Sequence, residues 1–430
     1  MLLVNNGFVN DAHSASSSKG VPGIRIIGTP IECESTVEAD VEAGIEGAMD
    51  KIITELTRPL TQAESNPQPK TEAEPRFVFK GSNRDVNNFF YRKGWTDGLP
   101  IIPPTEAAVA EMLTGTDLPA DHIVAKLIPR KGHATVEKIA INAVMAGALP
   151  VHMPVIIAAI DALSDGKTRF DTFEVSTGSW APFFLINGPV RTDIHINSSS
   201  GAASPGNIAN AAIGRAIALV VKNIGGARKG IEDMGTLGNT MKWSLVIGEN
   251  EEESPWEPYH VSSGFQKEES VLTVFFPNQY TVSIPGQTHA EGVATSLANM
   301  RPGALSALLV IPAHAKILAS EGWDKQRVKD FIIERNRPAP KVGSKVSPKA
   351  GPEAKTGAAP LPTDAGVFGR GLQNDDFMLV VVGGPGVWQG KYASAGGFNN
   401  SFVRRKINLP KNWESLVAKY RNMVPNYISY

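Results

Sequence analysis

Residues 193–235 read DIHINSSSGAASPGNIANAAIGRAIALVVKNIGGARKGIEDMG. The run from Ser198 to Asn207 is small and polar, the run from Ile208 to Val221 is apolar on nearly every face, and Gly225, Gly226 and Gly230 follow. Turn-formers, a helical run and a glycine stop predict a loop–helix–loop unit. Only Asn210, Arg215 and Lys222 interrupt the apolar run, so the helix belongs inside a fold. It is shorter than the roughly 20 residues of a bilayer span, and a core helix is expected instead. A helix start leaves its first N–H groups without intrahelical partners and carries partial positive charge. Ser198, Ser199, Ser200 and Gly201 at that end, joined by Arg228 or Lys229, are the expected seat for a small organic anion. The stretch matches neither a phosphate-binding P-loop nor a dinucleotide fingerprint.

The remaining composition narrows the class. The 430 residues are 42% hydrophobic and 20% charged, as in a globular protein. A net charge of -1 argues against a nucleic-acid partner, which needs a basic excess. A single cysteine, Cys33, excludes an internal disulfide framework and a cysteine-rich metal cluster. The first residues lack the basic and apolar regions of a secretory signal, so a cytoplasmic location is expected.

Strand-like and helical runs alternate, which predicts an α/β fold of mixed sheets with helices on their faces. The chain divides by composition into two globular domains with extended linkers and arms. Residues 1–61 form a small α/β segment, 62–75 a linker, 76–337 the main α/β domain, 338–363 a low-complexity linker, and 364–430 a terminal strand, glycine loop and tail. Ser35 and Glu38 read as a capping box for an amphipathic helix through Val41, Ile45, Ala48, Ile52 and Leu56. Residues 270–276 and 280–284 read as paired strands joined through Pro277, Asn278 and Gln279. The long arms suit an oligomer.

Chemistry needs groups that move protons or attack carbon. His195 stands at the threshold of the serine loop, and His133 and Glu137 flank a helix start opened by Thr135. Ser176 and Trp180 lie in a second small-residue turn and extend the expected binding surface. Cys33 precedes a helix start, a position that favours a reactive thiol, while Glu32 and Glu34 oppose a thiolate. The first reading is therefore an enzyme, or the large subunit of one, acting on a small anion. A second reading is a metal-dependent hydrolase or lyase with ligands among His133, His289, Glu291 and His314, although no HExxH spacing is present. A third is a non-catalytic structural or binding subunit. No motif names a cofactor; a metal stays open.

Residues 20–57, GVPGIRIIGTPIECESTVEADVEAGIEGAMDKIITELT, add a family likeness. A Gly-x-Pro segment, a strand, a loop and a long helix ending in Leu-Thr resemble the C-terminal portion of UGSC-type thiol/selenol proteins. Those are similar to the selenoprotein subunits of glycine reductase. The likeness covers residues 1–61. The family's Cys/Sec-Gly-Ser-Cys motif has no counterpart here, so its nucleophile is not carried onto Cys33. The resemblance implies reductive or nucleophilic thiol chemistry, with the redox residue on a separate thiol/selenol chain of a hetero-oligomer. Residues 89–338 look like an uncharacterised bacterial family that accompanies that module, and bring no activity with them.

Overall fold

The computed structural model describes residues 1–33, 35, 37–67, 75–285, 288–300, 305–337, 372–394 and 401–423. The low-complexity linker, Glu34, Gly286 and Gln287 lie outside the described residues.

The N-terminal unit holds β1 (Leu2–Asn5), α1 (Val9–Ser18), β2 (Ile26–Thr29), α2 (Glu38–Thr57) and α3 (Gln62–Ser65). β1 and β2 pair in parallel. Neither β1 nor α1 is signalled by periodicity. The expected Ser35–Glu38 capping box does not form: α2 starts after Val37, which has no side-chain acceptor, and Ser35 Oγ accepts from the Val37 N–H at 3.4 Å. A capping box forms instead around α3, between Thr61 and Glu64, inside the stretch expected to be a linker.

Next come α4 (Asn83–Arg92), α5 (Glu106–Leu113), the hairpin β3 (Ile123–Leu127) and β4 (Gly132–Thr135), α6 (Val136–Ala146), α7 (Met153–Leu163) and α8 (Phe170–Phe173). Thr135 caps α6 through the Lys138 N–H, as its position predicts. Two sheets follow. The strands β5 (Phe183–Asn187), β6 (Val246–Gly248), β7 (Val271–Phe275) and β8 (Gln279–Ser283) enclose α9 (Val190–Asp193), α10 (Ile208–Val220) and α11 (Tyr259–Ser262). The strands β9 (Leu305–Val310), β10 (Phe377–Val381), β11 (Gln389–Ser394) and β12 (Val403–Lys406) follow α12 (Ala290–Asn299), enclose α13 (Pro312–Ser320) and α14 (Lys325–Arg335), and lead to α15 (Trp413–Tyr420).

The spatial orders are β12-β7-β5-β6 and β8-β11-β9-β10. Each sheet has one parallel pair, β5 with β6 or β9 with β10, and two antiparallel steps. The connectivity therefore repeats: β5–β8 and β9–β12 are two copies of one four-strand pattern. Each copy places three strands in its own sheet and the fourth in the other's. β7 and β8, expected to pair with each other, instead pair in different sheets. The terminal segment is likewise no separate unit, because β10 and β11 build one sheet and β12 completes the other.

Strand alternation explains the layering. Phe183, Leu185 and Ile247 of one sheet face Ala307, Met378, Val380 and Tyr392 of the other. The opposite faces, with Phe184, Ile186 and Val246 in one sheet and Leu308, Val310 and Leu379 in the other, pack under α6, α7 and α10 or under α12, α13 and α14. The result is four layers, helix–sheet–sheet–helix.

The central helix α10 forms where its sequence predicts and passes into a π-turn, Val221–Gly225. Residues 208–225 are long and apolar enough to cross a bilayer, yet they lie mostly buried against α6 and α7. Arg215 leaves this helix to bind Asp97 at 2.7 and 2.9 Å, which fastens the loop after α4 to the core. That carboxylate is held below its usual range: burial opposes, but the Arg215 hydrogen bonds and charge prevail. Asp97→Ala should lower stability by about 1–3 kcal/mol, because it strands a largely buried guanidinium; denaturant titration measures it.

Candidate functional site

The serine loop and the cations expected beside it occupy opposite ends of one helix. Ser198–Gly201 precede Ile208, whereas Arg228 and Lys229 follow Gly225. Eighteen helical residues separate those ends by roughly 27 Å. The loop is instead a seal between the two repeats. The Gly383 N–H donates to the Ser198 carbonyl at 2.8 Å, and a Cβ at Gly384 would lie 1.9 Å from Ser200 Oγ. Ser199 N–H donates to Asn197. Asn210 holds the loop from below: its Nδ2 donates to the carbonyls of Asn197 and Val246, and its Oδ1 accepts from the Asn197 N–H. The helix start is occupied by its own cap, Asn207, whose Nδ2 also donates to the carbonyl of His195. His195 itself adopts a left-handed backbone, φ 56°.

The carboxyl ends of β5 and β6 are closed too. Asn187 Nδ2 donates to Glu249 at 2.6 Å and to Glu251 at 3.0 Å, while Arg191 binds Glu251 and Glu252. Lys325 reaches Glu249, whose side chain is fully buried. Three carboxylates, Glu249, Glu251 and Glu252, thus share two cations, Arg191 and Lys325, with Asn187 bridging two of them.

A cleft of about 520 Å³ opens where the turns leading into β5 and β6 meet the N-terminal unit. Its lining includes Phe8, Cys33, Thr177, Lys229, Asp233 and Thr236. The turns hold each other: the Thr236 N–H donates to the Thr177 carbonyl, and the Gly238 N–H to Ser179 Oγ at 3.1 Å. Ser176 shapes the first turn by accepting from the Gly178 N–H. Trp180 is buried behind it, its ring tilted against Phe173 and its indole N–H donating to Ser394. Gly178 is required there, since a Cβ would stand 1.9 Å from the Trp180 ring. Ser14 of α1 ties the N-terminal unit down by donating to Glu232 at 2.5 Å. Arg228 is committed to that same carboxylate, with contacts of 2.5 and 3.0 Å. Lys229 is different: its side chain is 73% exposed, and it lies 3.9 Å from Asp233.

Beneath the lining lies a pair of carboxylates sharing one lysine. Lys242 Nζ is 2.9 Å from Asp233 and 3.5 Å from Glu174. Burial pushes the Glu174 carboxyl up to about 7, against the pull of Lys242 and with added repulsion from Asp233. Glu174 carries no sequence signal beyond being one acid within the apolar run FDTFEV. Asp233 stands in the sequence only as one of several charges in a glycine-rich turn.

The remaining candidates are scattered. His133 is exposed on β4, and Glu137 pairs with Arg76 at 3.2 Å. His289 and Glu291 line another cleft with Arg335, and His314 is buried on α13 with its ring driven toward neutrality. Among the described residues no group of three or more His, Cys, Asp or Glu side chains is placed to hold a metal. His152, fully buried, is held neutral with its titration lowered to about 3 and accepts from the Leu149 N–H. Of the residues expected at a site, Cys33 and Lys229 converge, with Ser176 and Trp180 shaping the wall. No protein-family model, no curated protein and no solved structure matches this chain.

Proposed function

We propose that the chain is an enzyme, or the large subunit of one, that acts on a small organic anion in the Cys33 cleft. One observation carries this reading: a thiol, a mostly exposed ammonium and a largely buried carboxylate line the same opening. Lys229 receives the anionic end of the substrate. The Cys33 sulfur adds to a carbonyl carbon: the C–S bond forms, the C=O π pair moves onto oxygen, and the thiol proton ends on that oxygen by way of Asp233. The cytoplasm suits a chain whose one thiol is exposed.

The single cysteine makes the test direct. Cys33 is alkylated by iodoacetate, which is an anion, and by iodoacetamide, which is not. The ratio of the two rates cancels the thiolate fraction and reports the local charge. Lys229→Ala should lower the iodoacetate preference by about threefold to tenfold, the effect of one nearby charge at a partly solvated site. An unchanged ratio would remove the ammonium from the proposal, and with it the anionic substrate.

A further inference from the structure

Four charged side chains meet on the inner wall of the cleft. Asp233 and Glu174 contribute two negative charges when ionised, and Lys242 and Lys229 two positive ones. The neighbouring Arg228 and Glu232 cancel each other. With Glu174 ionised the set is neutral; with Glu174 protonated it carries one positive charge. The arrangement is also directional. Glu174 is buried, and Lys242 bridges it to Asp233 in the lining. When Glu174 takes a proton, Asp233 is the one carboxylate left to the two ammonium groups, Lys242 and Lys229.

We infer that Glu174 determines how strongly the cleft prefers an anion: one proton from solvent, taken up on its carboxyl, makes the cleft a receptor for a monoanion, and loss of that proton weakens the preference. Glu174 does not touch the bound molecule. It acts through Lys242 and Asp233 as a positioning residue for charge. The groups that face it are Lys242 from the helical turn Thr240–Lys242, and Asp233 and Lys229 from the turn after α10. Its carboxyl changes state close to neutral pH, where this control would operate. The inference rests on the anion cleft proposed above.

The experiment follows the iodoacetate-to-iodoacetamide ratio at Cys33 between pH 6 and pH 8. In the wild-type chain the ratio should fall about threefold as Glu174 loses its proton, the effect of one more distant charge. Glu174→Gln keeps the side chain's shape and stays neutral, so its ratio should remain at the high, low-pH value throughout. A wild-type ratio that is flat, or a variant that keeps the fall, overturns the inference. Failure of the underlying cleft reading looks different: Lys229→Ala then leaves the ratio untouched at every pH. Infrared titration of the wild-type chain provides an independent measurement. A protonated carboxyl C=O band should vanish between pH 6 and pH 8 and be absent from Glu174→Gln. No such band would also overturn the assignment.

Discussion

Asn210→Leu is expected to destabilise the folded chain by about 3–5 kcal/mol, read as a shift in the denaturant midpoint at constant slope. Asn210 is 4% exposed and sits in the first turn of α10. Its amide serves backbone groups of three segments: Asn197 before the serine loop, Ala202 within it, and Val246 on β6. Leucine matches the volume but leaves these groups buried and unpaired. Each such group costs about 1–3 kcal/mol, less whatever the loop recovers by moving toward water. Since that loop also receives Gly383, the loss should spread to the seam between the repeats. A change below about 1 kcal/mol would mean that the loop finds other partners.

The second large effect depends on pH. Glu174 titrates at about 7 in the folded chain, against an ordinary 4.5. Between those values the folded state binds the extra proton, so stability falls as pH rises and levels off above about 7. Burial is the leading cause, opposed by Lys242. The shift corresponds to about 3 kcal/mol. Glu174→Gln removes this dependence. Relative to the variant, the wild-type chain should lose about 3 kcal/mol of stability between pH 4 and pH 8, measured by parallel denaturant titrations at both ends. A constant difference would place the proton elsewhere.

Local signals were legible in the sequence. The apolar run 208–221 located α10, and Thr135 marked the start of α6. What escaped was pairing at long range. Pro277, Asn278 and Gln279 look like a hairpin turn, because alternation shows that β7 and β8 exist but not which neighbour each takes. The site was half legible for the same reason. Cys33 and Lys229 stood out by residue type, but their meeting depends on how the N-terminal unit lies against a turn some two hundred residues away. The serine loop offers no bare amides of the kind its composition suggests, because Asn197, Asn207 and Asn210 already serve that region.

The reciprocal lending of β8 and β12 has a mechanical outcome. Peeling either edge strand away dismantles a layer belonging to the opposite repeat, so the halves are clasped rather than merely abutted. Heat or denaturant should therefore open both layers in one step, and a cut in the short crossing at Pro277–Asn278 should loosen both together.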